Sequence, residues 1–440
     1  MLRNTSETAG AMHGRARTRL FASICSPRSI APGRSRISAL GIALGALSAA
    51  CADKVEQAPS GTLQAPMVTA FANPAGDASS SPGWSVTPSG RIYLSWQERL
   101  PDSTLLLKYA YRNDGDTTWS TVRTVKTGTN MIMSATDVPG VHEQRNGSLI
   151  AIWRGSHGEG GYDVVMARST DSGTTWSAPK SPHGDVTPTE HGFVSWLDLG
   201  DSASMVWLDG RLNADKDTAK HVTQLALASL TSQGDSKLEL MIEPKICDCC
   251  HTASALVPGG VAVVYRDRDA GEIRDISVLR LAADGWRQPV RVHNDNWHIN
   301  GCPVNGPSIS ARDSEVAVAW FTAAGDTARV RMAFSSDTAT TFAAPVEINE
   351  GFPDGKVGVV LTQRSRAIVS WIERKDSMAF LRVRAVNRDG TKSPATDVAN
   401  LGQGKRAGGA PKLIQNGNLV LLAWTDAATG RVNTATIDIP

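Results

Sequence analysis

Residues 247–251 read CDCCH, so three of the chain's six cysteines and one of its nine histidines fall within five positions. Cys302, in NGCPVNGP, is the remaining cysteine of the later chain. Thiols at this density have three uses: disulfides in an oxidising compartment, soft-metal ligation, or free thiol chemistry. In the first, Cys302 bonds Cys247 or Cys250. The leftover pair, Cys247–Cys249 or Cys249–Cys250, is then strained and open to redox exchange. In the second, thiolates with His251 or His191 hold Zn²⁺ or Cu⁺ as cofactor, although CDCC does not have zinc-finger spacing. The residues alone leave these readings open.

A second set of reactive groups is cationic. Arg99, Arg154, Arg211, Arg266 and Arg374 stand in WQER, WR, WLDGR, YRDR and WIER, each just after an apolar run with an aromatic near its end. Converging guanidinium groups suit a carboxylate, sulfate or phosphate through paired N–H bonds. The plainer alternative is that each pairs with its neighbour, since Glu98, Asp209, Asp267 and Glu373 lie beside them. Two carboxylates are what glycoside hydrolysis needs. Glu190, Asp209, Asp267 and Glu272 are the candidates, with His191 and Asn305 as further ligand contacts.

The elements that must position these groups follow from a repeat. GRIYLSW, GSLIAIW, SASMVW, GVAVVY, SEVAVAW, SRAIVSW and GNLVLLAW end at Trp96, Trp153, Trp207, Tyr265, Trp320, Trp371 and Trp424, at spacings of 57, 54, 58, 55, 51 and 53 residues. Continuous apolar runs of this length are strands buried on both faces. Strand-like stretches flank each run, for example HGFVSWLDL before Trp207 and LLLKYAYR after Trp96. Four strands per unit at this period predict an all-β, seven-bladed β-propeller over residues 63–440. LQAPMVTAFA, residues 63–72, precedes the first repeat, and the last repeat has no fourth strand. The orphan stretch therefore closes the ring within the last blade. On this layout the loops between second and third strands share a face with those that lead into each first strand. CDCCH, Cys302, Glu190 and the five arginines fall there, as do all the histidines after residue 50 except His142.

The first fifty residues are of another kind: seven Arg, no Lys and one acid, Glu7, followed by the apolar run ISALGIALGALSAA. They read as an export signal with a long basic n-region, which leaves Met12 as an alternative start. LSAAC resembles a bacterial lipoprotein signal, which implies a lipid on Cys51, a tether over 51–62 and a cell-envelope protein held to a membrane by the lipid alone. Ser48 stands where that pattern has Leu, and cleavage after Ala50 or Ala52 is the alternative. Taking seven Arg and one Glu from the chain's 45 basic and 43 acidic residues leaves 38 against 42, a net charge of −4. That balance excludes nucleic acid as a partner.

STDSGTTW, residues 169–176, matches the Asp-box repeat in full, and RNDGDTTW (112–119) and SSDTATTF (335–342) match it in part. On these turns the chain resembles the sialidase-like Asp-box propellers. The resemblance implies an acidic glycan or other anionic small ligand at the arginine-rich face, a monomer and, if the protein is an enzyme, an exo-sialidase-like glycoside hydrolase. It also implies six blades as the alternative count. The chain departs from the family's catalytic pattern: Arg-Ile-Pro is absent and no tyrosine follows Tyr265. The alternative function is a non-enzymatic envelope protein that binds Cu or Zn, or acts in redox, through Cys247, Cys249, Cys250, His251 and Cys302.

Overall fold

The computed structural model describes residues 63–158, 161–198, 203–231, 233–404 and 409–439. The export signal, Cys51 and the tether lie outside them. Seven antiparallel sheets follow one another along the chain, most of them four-stranded. Blades one to seven have their second strands at Ile92–Arg99, Leu149–Ser156, Ala203–Asp209, Gly260–Arg266, Glu315–Thr322, Ala367–Lys375 and Leu419–Asp426. These are the seven apolar runs of the repeat. The six-blade alternative is therefore set aside.

Ring closure follows the sequence reading. Met67–Ala70 pairs antiparallel with Arg431–Asp438, so the first strand among the described residues becomes the outer strand of blade seven. Closure of this kind leaves no open edge at the seam. Blade two is the irregular member. Its sheet has three strands, and only a bridge between Met166 and Lys180 stands in for a fourth.

The second strands are buried because neighbouring sheets press on both of their faces. Trp96, Trp207, Trp320 and Trp371 have no exposed surface. An indole buried that deeply must still place its N–H. Trp96 donates to Glu98 at 2.8 Å, Trp207 to Asp209 at 3.0 Å and Trp371 to Glu373 at 2.9 Å. In each case the acceptor lies two residues on, where strand alternation returns it to the same face. Trp320 has a threonine at that position and reaches Asp295 instead, at 2.6 Å. The acids of WQER, WLDGR and WIER are thus indole acceptors.

The turns at 169–176 and 335–342 close alike. Asp171 Oδ1 accepts the N–H groups of Thr174 and Thr175 at 3.0 and 2.9 Å, and Asp337 Oδ1 those of Thr340 and Thr341 at 3.1 and 2.9 Å. Gly173 takes a φ of +82°, and Trp176 packs edge-on to Tyr109 of blade one. RNDGDTTW closes differently, through Asp116 and Asn113.

Trp371→Phe keeps an aromatic ring but deletes the donor and leaves a small cavity at this fully buried position. Glu373 is 4% exposed. The lost donor alone should cost about 1–3 kcal/mol, the usual penalty for a buried acceptor left short of a partner. Urea unfolding should show a lower midpoint with an unchanged slope.

Candidate thiol centre and the face around it

The outer strand of blade three, Ser236–Ile246, delivers the chain to the cysteine loop. Cys247 N–H donates to Arg266 O at 3.0 Å and Ile246 bridges Asp267, so the loop starts clamped to the end of blade four's second strand. It then turns into blade four's first strand, Ala253–Val257. Cys249 is disulfide-bonded to Cys302, with Cα atoms 6.1 Å apart, which ties the loop leading into blade four to the one leading into blade five. Cys247 and Cys250 are free thiols, both buried, with Sγ atoms 2.6 Å apart. The pairing differs from that expected. Cys302 takes Cys249, because Cys247 and Cys250 turn inward while Cys249 is half-buried and Cys302 exposed. The leftover pair has the spacing Cys-x-x-Cys, a signal present in the sequence but masked by the cysteine inside it.

Arg266 sets the electrostatics. It is 1% exposed and donates to three backbone carbonyls: Asn305 at 2.9 Å, Arg274 at 2.7 Å and Phe321 at 2.7 Å. Its guanidinium also lies over the Trp297 ring, 4.8 Å from the centroid. Carbonyls satisfy its N–H groups but do not neutralise its charge. Arg274 donates toward Cys247 Sγ at 3.6 Å and pairs with Glu272 at 2.9 Å. Burial pushes the Cys247 thiol up, but the Cys250 thiol, Arg266, the Cys249 N–H and Arg274 together outweigh it and hold it down to about 6. Burial pushes Cys250 well up, and the adjoining Cys247 adds to the effect. These opposite shifts favour ionisation of Cys247 over Cys250.

His251 does not join the sulfurs. Burial, then Lys412, Lys356 and Arg266, keep its imidazole neutral. Two groups of side chains have donor atoms within 4.8 Å of one another and could hold a metal ion: Cys247, Cys249 and Cys250, and separately His157, Asp163 and His191. His191 thus belongs with histidine and carboxylate neighbours from blades two and three, away from the cysteines.

The other arginines are mostly engaged. Arg211 pairs with Asp209 at 2.6 Å and Glu239 at 2.5 Å, and Arg374 with Asp354 at 2.7 Å. Arg99 contacts Met133 Sδ. Arg154 lies 3.7 Å from Asp137 and stacks on Tyr162, 4.1 Å from the ring centroid. Of the carboxylates, Asp209 is consumed by Trp207 and Arg211, and Glu272 by Arg268 and Arg274. Asp267 takes the Arg268 N–H and faces Arg291, and Glu190 accepts from Tyr162 at 3.3 Å. The Asn305 side chain is held by the backbone of Asp354 and Lys356.

Arg154, Asn305, Asp354, Lys356, Ile372 and Gly409 help line a cavity of about 530 Å³. Residues of blades two, five, six and seven meet there, which only the propeller axis allows.

No protein-family model matches the chain, and no curated protein matches it. Among solved structures it is similar to a protein of unknown function from Dyadobacter fermentans, at 16% identity and a TM-score of 0.44 over 86% of this chain and 99% of that one. It is also similar to the GH93 α-L-arabinofuranosidase of Fusarium graminearum, at 12% identity and a TM-score of 0.43 over 86% and 98%. A Hadza microbial sialidase follows at 16% identity and a TM-score of 0.41 over 68% and 66%. These likenesses concern the fold and assign nothing at the site.

In a Cys249→Ser/Cys302→Ser protein, absorbance at 240 nm should titrate one thiol near pH 6. Arg274→Gln should move that midpoint up toward the ordinary value of about 8.5. The sign for stability follows, because folding lowers this pKa. The thiolate's contribution is complete above about 8.5 and is lost as pH falls through about 6.

Proposed function

We propose that this protein is a thiol–disulfide relay of the cell envelope. Cys247 and Cys250 form its buried redox couple, and the Cys249–Cys302 disulfide is its outer contact. The observation that carries this reading is the 2.6 Å approach of Cys247 Sγ to Cys250 Sγ beside Arg266 and Arg274. The sulfurs of Cys247, Cys249 and Cys250 lie within 4.8 Å of one another, near enough for exchange after small side-chain rotations.

The step balances within the protein. The Cys247 thiolate attacks Cys249 Sγ, the Cys249–Cys302 bond breaks and Cys302 leaves as a thiolate. Cys250 then gives up its proton to the departing Cys302 thiolate and attacks Cys247 Sγ, releasing Cys249 as a thiolate. The net result moves one disulfide from Cys249–Cys302 to Cys247–Cys250, with no change in oxidation level. An external thiol or disulfide exchanging at exposed Cys302 sets the direction. The signal-like first fifty residues and Cys51 support an exported, lipid-anchored protein, in which such a couple would persist.

A second reading rests on the axial cavity. Arg154 and Lys356 border it, which supports an anionic ligand such as an acidic sugar. Binding fits better than hydrolysis. Asp354 is the one carboxylate among the described lining residues, and it is paired with Arg374. A glycosidase needs two.

The relay is tested by equilibrating the protein in glutathione buffers of graded ratio, trapping with acid and N-ethylmaleimide, and mapping disulfides by mass spectrometry. Two singly bridged isomers, Cys249–Cys302 and Cys247–Cys250, should both appear. Cys250→Ser should remove the second and accumulate Cys247–Cys249. Cys247 and Cys250 alkylated at every ratio, with Cys249–Cys302 intact, would make the outer disulfide purely structural. Stoichiometric Cu or Zn with no disulfide would transfer the site to soft-metal binding.

A further inference from the structure

His191 is the first residue of blade three's first strand and is 1% exposed, yet neither ring nitrogen closes a hydrogen bond. Buried polar groups left in this state are rare and need an explanation. The surroundings are all potential partners. Asp185 Oδ2 lies 3.1 Å and Asp209 Oδ1 3.6 Å from Nε2, and Asp163 Oδ1 lies 3.8 Å from Nδ1. Across the same gap, His157 Nε2 stands 3.9 Å from Asp163 Oδ2.

The two longer separations are too wide for hydrogen bonds. They suit ligands that share an ion: atoms each about 2.1 Å from one metal lie roughly 3–4 Å apart. The chain supplies these groups from separate elements. His157 follows blade two's second strand, Asp163 sits in its third strand Tyr162–Ser169, and His191 opens blade three.

The surrounding shell is already built. His183 Nε2 lies 2.6 Å from Asp163 Oδ1, and Ser181 Oγ donates to Oδ2 at 2.5 Å, which fixes the carboxylate. Asp185 and Asp209 face His191 Nε2. A ligating imidazole places its second N–H against such a carboxylate, which frees the Nδ1 lone pair for the ion. His183 lies tilted against His191, with ring centroids 4.5 Å apart, and stacks on Trp207 at 5.5 Å, so the rings are held from behind.

We infer that His157, Asp163 and His191 form a divalent transition-metal site of the Zn²⁺ class on ligands other than the cysteines, an inference that does not rest on the relay. Two imidazoles and one carboxylate are borderline ligands that suit Zn²⁺, Fe²⁺ or Mn²⁺ and leave coordination positions open. The His157 side chain is 31% exposed, so the open side faces water. A bound water or an anionic ligand can complete the shell.

The experiment uses metal-free, disulfide-intact protein titrated with Zn²⁺ against a chromophoric chelator, with Co²⁺ absorption as the second readout. One Zn²⁺ per chain is expected, in wild type and in Cys247→Ser/Cys250→Ser alike. His157→Gln and His191→Gln should each weaken binding by at least about 100-fold, and His183→Gln by about 10–100-fold. Co²⁺ should show ligand-field bands without thiolate charge transfer. His157→Gln alters an accessible side chain, so an unchanged urea midpoint separates lost binding from lost folding. Three outcomes overturn the site: no Zn²⁺ uptake below millimolar concentration, affinity unchanged in His157→Gln and His191→Gln, or uptake abolished by Cys247→Ser/Cys250→Ser.

Discussion

The thiol centre depends on one buried cation. Arg266 is almost wholly buried, and its hydrogen bonds go to carbonyls of Asn305, Arg274 and Phe321, which belong to three separate stretches of blades four and five. Removing a full charge from water is costly unless an opposite charge lies near. No carboxylate makes that pair among the described residues; the nearby group that can become an anion is the Cys247 thiol. The guanidinium therefore does two things at once. It fixes where the loops into blades four and five meet, and it makes ionisation the favoured state of the sulfur beside it. Arg274 strengthens the second effect, while its contact with Glu272 holds its own charge in place.

The same requirement explains why acids and arginines recur after the buried aromatic runs. Charges beside a buried aromatic run look functional because they interrupt apolar sequence. Trp207 and Trp371 show the structural reason for them: a fully buried indole needs an acceptor, and the residue two positions on is the nearest one that strand alternation can supply. Once Asp209 or Glu373 is buried to meet that need, an arginine follows to neutralise it, Arg211 in one case and Arg382 in the other. Arg374 turns away to Asp354.

The fold was legible because it repeats. Seven apolar runs at nearly constant spacing define the second strands, and the surplus strand at 67–70 had only the last blade left to fill. The cysteines fall into one cluster, and His157 and His191 into another. Partner choice was not legible. Which cysteine meets Cys302 depends on how a five-residue loop turns after its N–H is caught by Arg266 O, a contact between positions nineteen residues apart. Asp163 and Asp185 were missed for a related reason. One is an inward position of a third strand and the other lies in a long crossing between blades, and neither carries a local motif.

Two centres with different ligand chemistry on one face impose an order on each other. Thiolates outcompete imidazole and carboxylate for soft ions, so a fully reduced cysteine cluster would draw Zn²⁺ or Cu⁺ away from His157, Asp163 and His191. The disulfide between Cys249 and Cys302 removes one sulfur from that competition, and forming Cys247–Cys250 removes the other two. With both proposed centres in place, oxidation of the cysteines would direct borderline ions to the histidine site, and reduction would direct them to sulfur. Nothing in the propeller has to move for this to happen. The coupling resides in which sulfur lone pairs are free, and the Cys250 contact together with Arg266 and Arg274 biases that by favouring the Cys247 thiolate.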